Sequence, residues 1–247
     1  MKKLFADTRE GALTGTLICC ISMKYAVQGM QNACFLIAPL HSSLTYAIFA
    51  KNNRYMPNSE RHPLQPFLPQ NARILMLGSF PPPKARWSME FFYPNWINDM
   101  WRIFGYIFYN DRHHFEVKGE NRFCKEEIVK FCTDKGIALY DTACEVKRLK
   151  DNASDKFLEV VTPTDINALL AAIPHCTAVV TTGQKATDVI IGTFCCEEPP
   201  VGGSSRFIAG DREISLWRMP SSSRAYPLAL DKKAGFYRTM LESEGIK

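Results

Sequence analysis

Four short apolar runs, each closed by small or polar residues, constrain this chain most. Residues 73–78 lead into Ser79-Phe80-Pro81-Pro82-Pro83-Lys84, and 137–141 into Thr142. Residues 178–182 lead into Gly183-Gln184-Lys185, and 214–219 into Pro220-Ser221-Ser222-Ser223-Arg224. Short apolar runs bounded by turn formers read as buried strands. If the strands are parallel, all four following loops gather at one edge of the sheet, where open α/β sheets bind ligands.

Helical patterns fall between the strands. Trp96, Met100, Trp101 and Phe104 recur at helical spacing and predict a helix over 95–106. A second helix is predicted over 125–135, with Ile128, Val129, Phe131 and Cys132 facing inward and Gly136 ending it. A third opens around Thr164, with Pro163-Thr164 as its cap and an acid in its first turn, and stops near Pro174. Others are expected over 184–192, entered through Gly183, and over 230–243. Residues 195–206 read as a loop, and a turn at Gly210-Asp211 joins edge strands at 206–209 and 213–218. This alternation predicts an α/β fold of three layers, α/β/α, around a central, mainly parallel four-stranded sheet.

The first 55 residues read differently. They hold six Lys/Arg against two Asp/Glu, which leaves 24 against 23 for the rest of the 247-residue chain and its net charge of +5. Residues 56–247 are therefore near neutral, and a basic surface there has to be a local patch. Met1-Lys2-Lys3 resembles the start of a signal segment, but Asp7, Arg9 and Glu10 interrupt any apolar stretch, and the runs at 16–23 and 34–40 are too short to span a bilayer. Residues 1–55 are expected to be a poorly ordered extension or sequence upstream of a true start at Met56, with one domain over 56–247. Nine cysteines, two adjacent pairs among them and no Cys-x-x-Cys, give neither a disulfide framework nor a zinc pattern; reduced thiols in a cytoplasmic protein are expected.

The loops limit the chemistry. Gly78-Ser79-Phe80-Pro81-Pro82-Pro83-Lys84 is followed by the aromatic-rich Phe91-Phe92-Tyr93-Pro94-Asn95-Trp96-Ile97-Asn98-Asp99-Met100-Trp101. Rings beside amides suit a flat heterocycle, stacked on one face and read at its edge. For Phe91, Trp96 and Trp101, each taken singly, a core position is the better explanation. Tyr93 and Asn98 are harder to account for by packing, because buried amides carry hydrogen-bonding tasks. Pro220-Ser221-Ser222-Ser223-Arg224 offers hydroxyls, backbone N–H groups and a guanidinium, which suit phosphate oxygens, although an ordinary polar turn has the same composition. Asp141, at a strand end, is open to three readings: base, ligand orienter or helix cap. His113-His114 are adjacent and diverge on any regular element, which disfavours a metal site. The chain has neither a Gly-x-x-x-x-Gly-Lys-Ser/Thr loop nor a Gly-x-Ser-x-Gly elbow.

Taken in order, these segments resemble the uracil-DNA glycosylase superfamily, most of all its hypoxanthine-DNA glycosylase branch, over about residues 72–243. The likeness rests on Gly78-Ser79-Phe80-Pro81-Pro82-Pro83-Lys84-Ala85, on Phe92-Tyr93-Pro94-Asn95-Trp96-Ile97-Asn98-Asp99-Met100-Trp101 and on Pro220-Ser221-Ser222-Ser223, with Gly136 to Asp141 and Gly183 to Ala186 as weaker matches. The resemblance implies a monofunctional glycosylase that flips a deaminated base, uracil or hypoxanthine, out of DNA and hydrolyses its N-glycosidic bond. It implies Asn98 as the catalytic residue, positioning water or hydrogen-bonding the base. It implies Phe80 with Phe92 or Tyr93 sandwiching the base, and Gly78, Ser79 and Asp141 beside them in the substrate site. Lys84, Ser221, Ser222, Ser223 and Arg224 would contact DNA phosphates. DNA containing a deaminated base is the expected partner of a monomer, with no membrane, metal or other cofactor. Pro82 stands where the family has glycine and removes a backbone N–H, and Asn95-Trp96 replace His-Pro. These departures, with the near-neutral charge, motivate a second reading, a non-catalytic nucleic-acid binder on the same fold. A nucleoside hydrolase would call for clustered aspartates, and the sequence has none.

Overall fold

The computed structural model describes residues 59–149 and 157–247. The expectations for residues 1–55 and for a start at Met56 lie outside the described residues.

The strands are β1 (Glu60–Arg61), β2 (Ile74–Gly78), β3 (Ile137–Asp141), β4 (Ala143–Arg148), β5 (Leu158–Pro163), β6 (Ala178–Thr181), β7 (Ser204–Ala209) and β8 (Arg212–Arg218). The helices are α1 (Met100–Tyr109), α2 (Lys125–Lys135), α3 (Ile166–Ala172), α4 (Gln184–Phe194) and α5 (Leu230–Ser243). The main sheet runs β3-β2-β6-β8-β7. Its first four strands are parallel, and β7 closes it as an antiparallel edge. The sheet is therefore mixed and five-stranded, one strand more than expected. The turn at Gly210, with φ of 64°, folds residues 204–209 back along β8 and gives β7 a full ladder.

Every residue of β2, β3 and β6 is buried. A strand with no exposed residue is covered on both faces, which is the environment of parallel strands flanked by helices. Helix α1 is buried through its first six residues, Met100 to Gly105, and packs against α5. Trp101 and Phe91 are core residues, 1% and 7% exposed. This core makes the C-terminal ends of the parallel strands a fixed platform.

Two boundaries moved for local reasons. The first helix begins at Met100 rather than 95, because Asn95 Oδ1 accepts from the Ile97 N–H and Asn98 Oδ1 from the Met100 N–H, so 95–98 form turns that lead into the helix. Helix α3 is capped by Asp165, whose carboxylate accepts from the Ala168 N–H at 3.0 Å, rather than by Pro163-Thr164. Helix α2 runs over the expected 125–135, and Gly136 takes the left-handed conformation at φ 66°.

A second sheet, β1-β4-β5, was not legible in the sequence. It is antiparallel, and its register shifts between Ala143 and Val146. One face is polar, while Ala143, Val146, Leu158 and the ring of Phe80 form a small core of their own. Through Phe80, this sheet braces the loop that follows β2.

Candidate functional site

The strand register defines the site. Gly78 lies opposite Asp141, Leu77 opposite Thr181, and Thr181 opposite Arg218. The four parallel strands thus end level, and their loops leave from one edge. A cleft of about 150 Å³ opens there. Gly78, Ser79, Phe80, Phe92, Tyr93, Asn98, Asp141, Ser221, Ser222 and Ser223 all line it, together with Pro81, Pro82, Pro94, Asn95 and Thr182. A cavity of that volume holds one six-membered ring.

Asn98 and the tri-serine turn meet directly, as Asn98 and Ser223 form a β-bridge and the Asp99 N–H donates to Ser222 O at 2.9 Å. Behind this junction the buried Asp99 takes Arg224 Nε on one oxygen at 3.0 Å and Lys233 Nζ on the other at 3.1 Å. Lys233, 1% exposed, also donates to Ser223 O at 2.8 Å, and Tyr237 OH holds Pro220 O. The Ser221 and Ser223 hydroxyls accept from the N–H groups of Ser223 and Ala225. The turn is rigid because α5 and the start of α1 both grip it.

The orientation of the Asn98 amide follows from its neighbour. A backbone N–H can only donate, so the oxygen of Asn98 must face Met100, at 2.9 Å. The amide nitrogen then has no protein partner among the described residues, and Asn98 presents a donor at the cleft.

Across the cleft stands Asp141. Its Oδ2 lies 2.9 Å from His62 Nε2, and its Oδ1 has no protein partner among the described residues. A Cβ at position 78 would sit 2.3 Å from Asp141 Oδ1, so only glycine leaves room for this carboxylate. Tyr93 holds an uncommon positive φ of 48° and bonds Thr182 Oγ1 at 3.1 Å. Desolvation by burial, reinforced by the charge of Asp141, pushes its hydroxyl well above the usual phenol range, so it stays protonated.

Two expected residues are not in the cleft wall. Lys84 is exposed, paired with Glu90 and placed over the Trp87 ring. Arg224 sits behind the tri-serine turn on Asp99, with 44% of its side chain exposed. Phe80 and Phe92 line the cleft, but both are also packed: Phe80 against His62 and the Arg148 guanidinium, Phe92 against Phe91 and Tyr140. Three residues of the site escaped the sequence reading: His62, Asp99 and Lys233. Nothing local marks them, since each acts through a partner at least 79 positions away. Among the described residues no group of three or more His, Cys, Asp or Glu gathers as a metal site, and no helix is long and apolar enough to cross a membrane.

Together these features define an α/β protein with a ring-sized, donor-lined cleft at the carboxyl edge of its parallel strands. No family model and no curated protein sequence matches the chain. Among solved structures, it is similar to the solution NMR structure of a proposed uracil DNA glycosylase from Methanosarcina acetivorans, at 19% identity and a TM-score of 0.50. The match covers 74% of this chain and 98% of the other. At that identity the likeness is one of fold alone, and nothing in it singles out the hypoxanthine branch.

Proposed function

We propose that the protein is a monofunctional DNA glycosylase that flips a deaminated base into the cleft and hydrolyses its N-glycosidic bond. The observation that carries this reading is the meeting of Asn98 with the tri-serine turn beside an aromatic cleft sized for one ring. In this reading Phe80 and Tyr93 flank the base, and Phe92 closes the cleft behind them. The Asn98 amide donates to the base as negative charge develops on it, a fixed dipole that needs no reorganisation during the reaction. The serine turn faces the phosphates next to the lesion. The partner is DNA, taken by a monomer, and hydrolysis of this kind draws on side chains and water.

The test is a panel of labelled duplexes holding uracil, hypoxanthine, xanthine or thymine opposite each normal base, treated with protein and then alkali. Cleavage at uracil is expected. The absence of cleavage at every base would end the proposal. Pro81 and Pro82, which give that side of the cleft two successive residues without an N–H, favour one other reading, a non-catalytic binder. Tight binding of the same duplexes without abasic sites would select it.

A further inference from the structure

We propose that Asp141 accepts the proton of the attacking water, and that His62 is the positioning residue that holds its carboxylate for this step. The inference rests on the glycosylase reading and assigns two roles within that site.

A proton acceptor within reach of the attacking water speeds hydrolysis. The described residues that line the cleft offer few. Tyr93 stays protonated, Asn98 commits its oxygen to the start of α1, and the hydroxyls of Ser221 and Ser223 accept from their own turn. Asp141 is the one carboxylate among the described lining residues. Its Oδ1 is unpartnered by protein, in the space that Gly78 leaves open.

The other oxygen is fixed. An ionised carboxylate only accepts, so His62 Nε2 carries the proton of the 2.9 Å bond to Oδ2. The ring itself has little freedom. Its Nδ1 lies 2.9 Å from Leu64 O and 3.2 Å from Leu64 N, and the ring packs against Tyr140 at 4.6 Å and Phe80 at 5.3 Å between centroids. The His62 side chain is 2% exposed, and Pro63 restricts its backbone to extended conformations. The His62 N–H bonds Cys144 O at 2.8 Å, which ties the residue to β4 of the small sheet. That sheet would therefore serve the chemistry by carrying His62 to the end of β3.

In the step, the C1′–N bond breaks and its electron pair leaves with the base, where the Asn98 amide stabilises it. The water oxygen bonds C1′, and its proton passes to Asp141 Oδ1. The base takes up that proton equivalent on release, so no oxidant, reductant or further reactant is needed.

The experiment measures single-turnover excision from a uracil-containing duplex for the wild type, Asp141→Asn, His62→Phe and His62→Gln. Binding is measured on the same duplex carrying 2′-fluoro-2′-deoxyuridine, which resists cleavage. Asp141→Asn should slow excision by about 10²-fold or more with little change in binding. His62→Phe keeps the ring packing but loses the donor, and should slow excision by up to about 10²-fold through misplacement. His62→Gln, whose amide nitrogen reaches the position of Nε2, should recover much of that loss. Undiminished excision by Asp141→Asn would overturn the proposal, as would binding that falls in step with the rate, which marks a base-recognition role. Equal rates for His62→Phe and His62→Gln would remove the positioning role. Thermal melts accompany each variant, and Asp141→Asn, which keeps the side-chain shape, decides the main point even if His62→Phe does not fold. A wild type that excises no base overturns the glycosylase reading itself, whereas an active wild type with unaffected variants overturns only this assignment.

Discussion

On the side of the tri-serine turn, polar groups satisfy one another: Asp99 joins Arg224 and Lys233, Lys233 joins Ser223 O, and Ser222 O takes the Asp99 N–H. On the side of Gly78 and Asp141, one carboxylate oxygen is pinned by His62 and the other has no protein partner among the described residues. Asn98 belongs to both sides, with its oxygen in the helix start and its amide nitrogen unpartnered. The contrast separates two tasks. A buried, mutually satisfied network fixes geometry, while an unsatisfied group held rigidly beside it is where a substrate can replace the missing partner. Mutations should therefore damage stability on the first side and rate on the second.

The most severe break is expected at Asp99. Asp99→Ala strands the buried ammonium of Lys233 and should cost about 3–5 kcal/mol of folding stability, read as a lowered midpoint in chemical denaturation. A loss below about 1 kcal/mol would show that the network is dispensable. Asn98→Asp comes next and sharpens the comparison, because it keeps an oxygen facing Met100 while replacing the amide donor with a carboxylate oxygen whose charge opposes the charge developing on the base. Excision should fall by about 10²-fold while the melting temperature holds. Asn98→Ala should show the same loss of rate plus about 1 kcal/mol of stability from the missing cap-like bond. Undiminished excision by Asn98→Asp would take the donor role away.

Smaller effects are expected at the surface. Arg224→Ala should weaken DNA binding and reduce the salt slope by about one, provided the half-exposed guanidinium reaches a phosphate as well as Asp99. An unchanged slope would confine Arg224 to the internal network. Lys84→Ala should do least. Its pair with Glu90 is exposed on both sides, and a shift in stability within about 0.5 kcal/mol is expected on urea titration. A pronounced loss of DNA binding in this variant would restore Lys84 to the site from which its position on Trp87 removes it.

The two sheets differ in how far the sequence revealed them. The strands of the parallel sheet are short apolar runs because both faces are covered, and that composition can be read without a partner. The β1-β4-β5 sheet has an exposed face, a register shift and a two-residue first strand, so its alternation is broken and its apolar content is low. Its one core aromatic, Phe80, belongs to a loop of the other sheet. Such a sheet is defined by what it packs on, and a reading along the chain has no access to that.

The sequence by itself determined the strand–loop alternation, most helix positions, and the gathering of Gly78, Asn98, Asp141 and the tri-serine turn at one edge, because local apolar pattern and loop placement dictate which end of a parallel sheet the loops share. Only the tertiary structure decided what those residues do to one another. The glycine-sized gap for Asp141, the His62 contact and the Asp99–Lys233 pair all depend on side chains brought together from distant parts of the chain. Hydrogen bonds and ion pairs act over a few ångströms of space, and sequence separation carries no information about that distance.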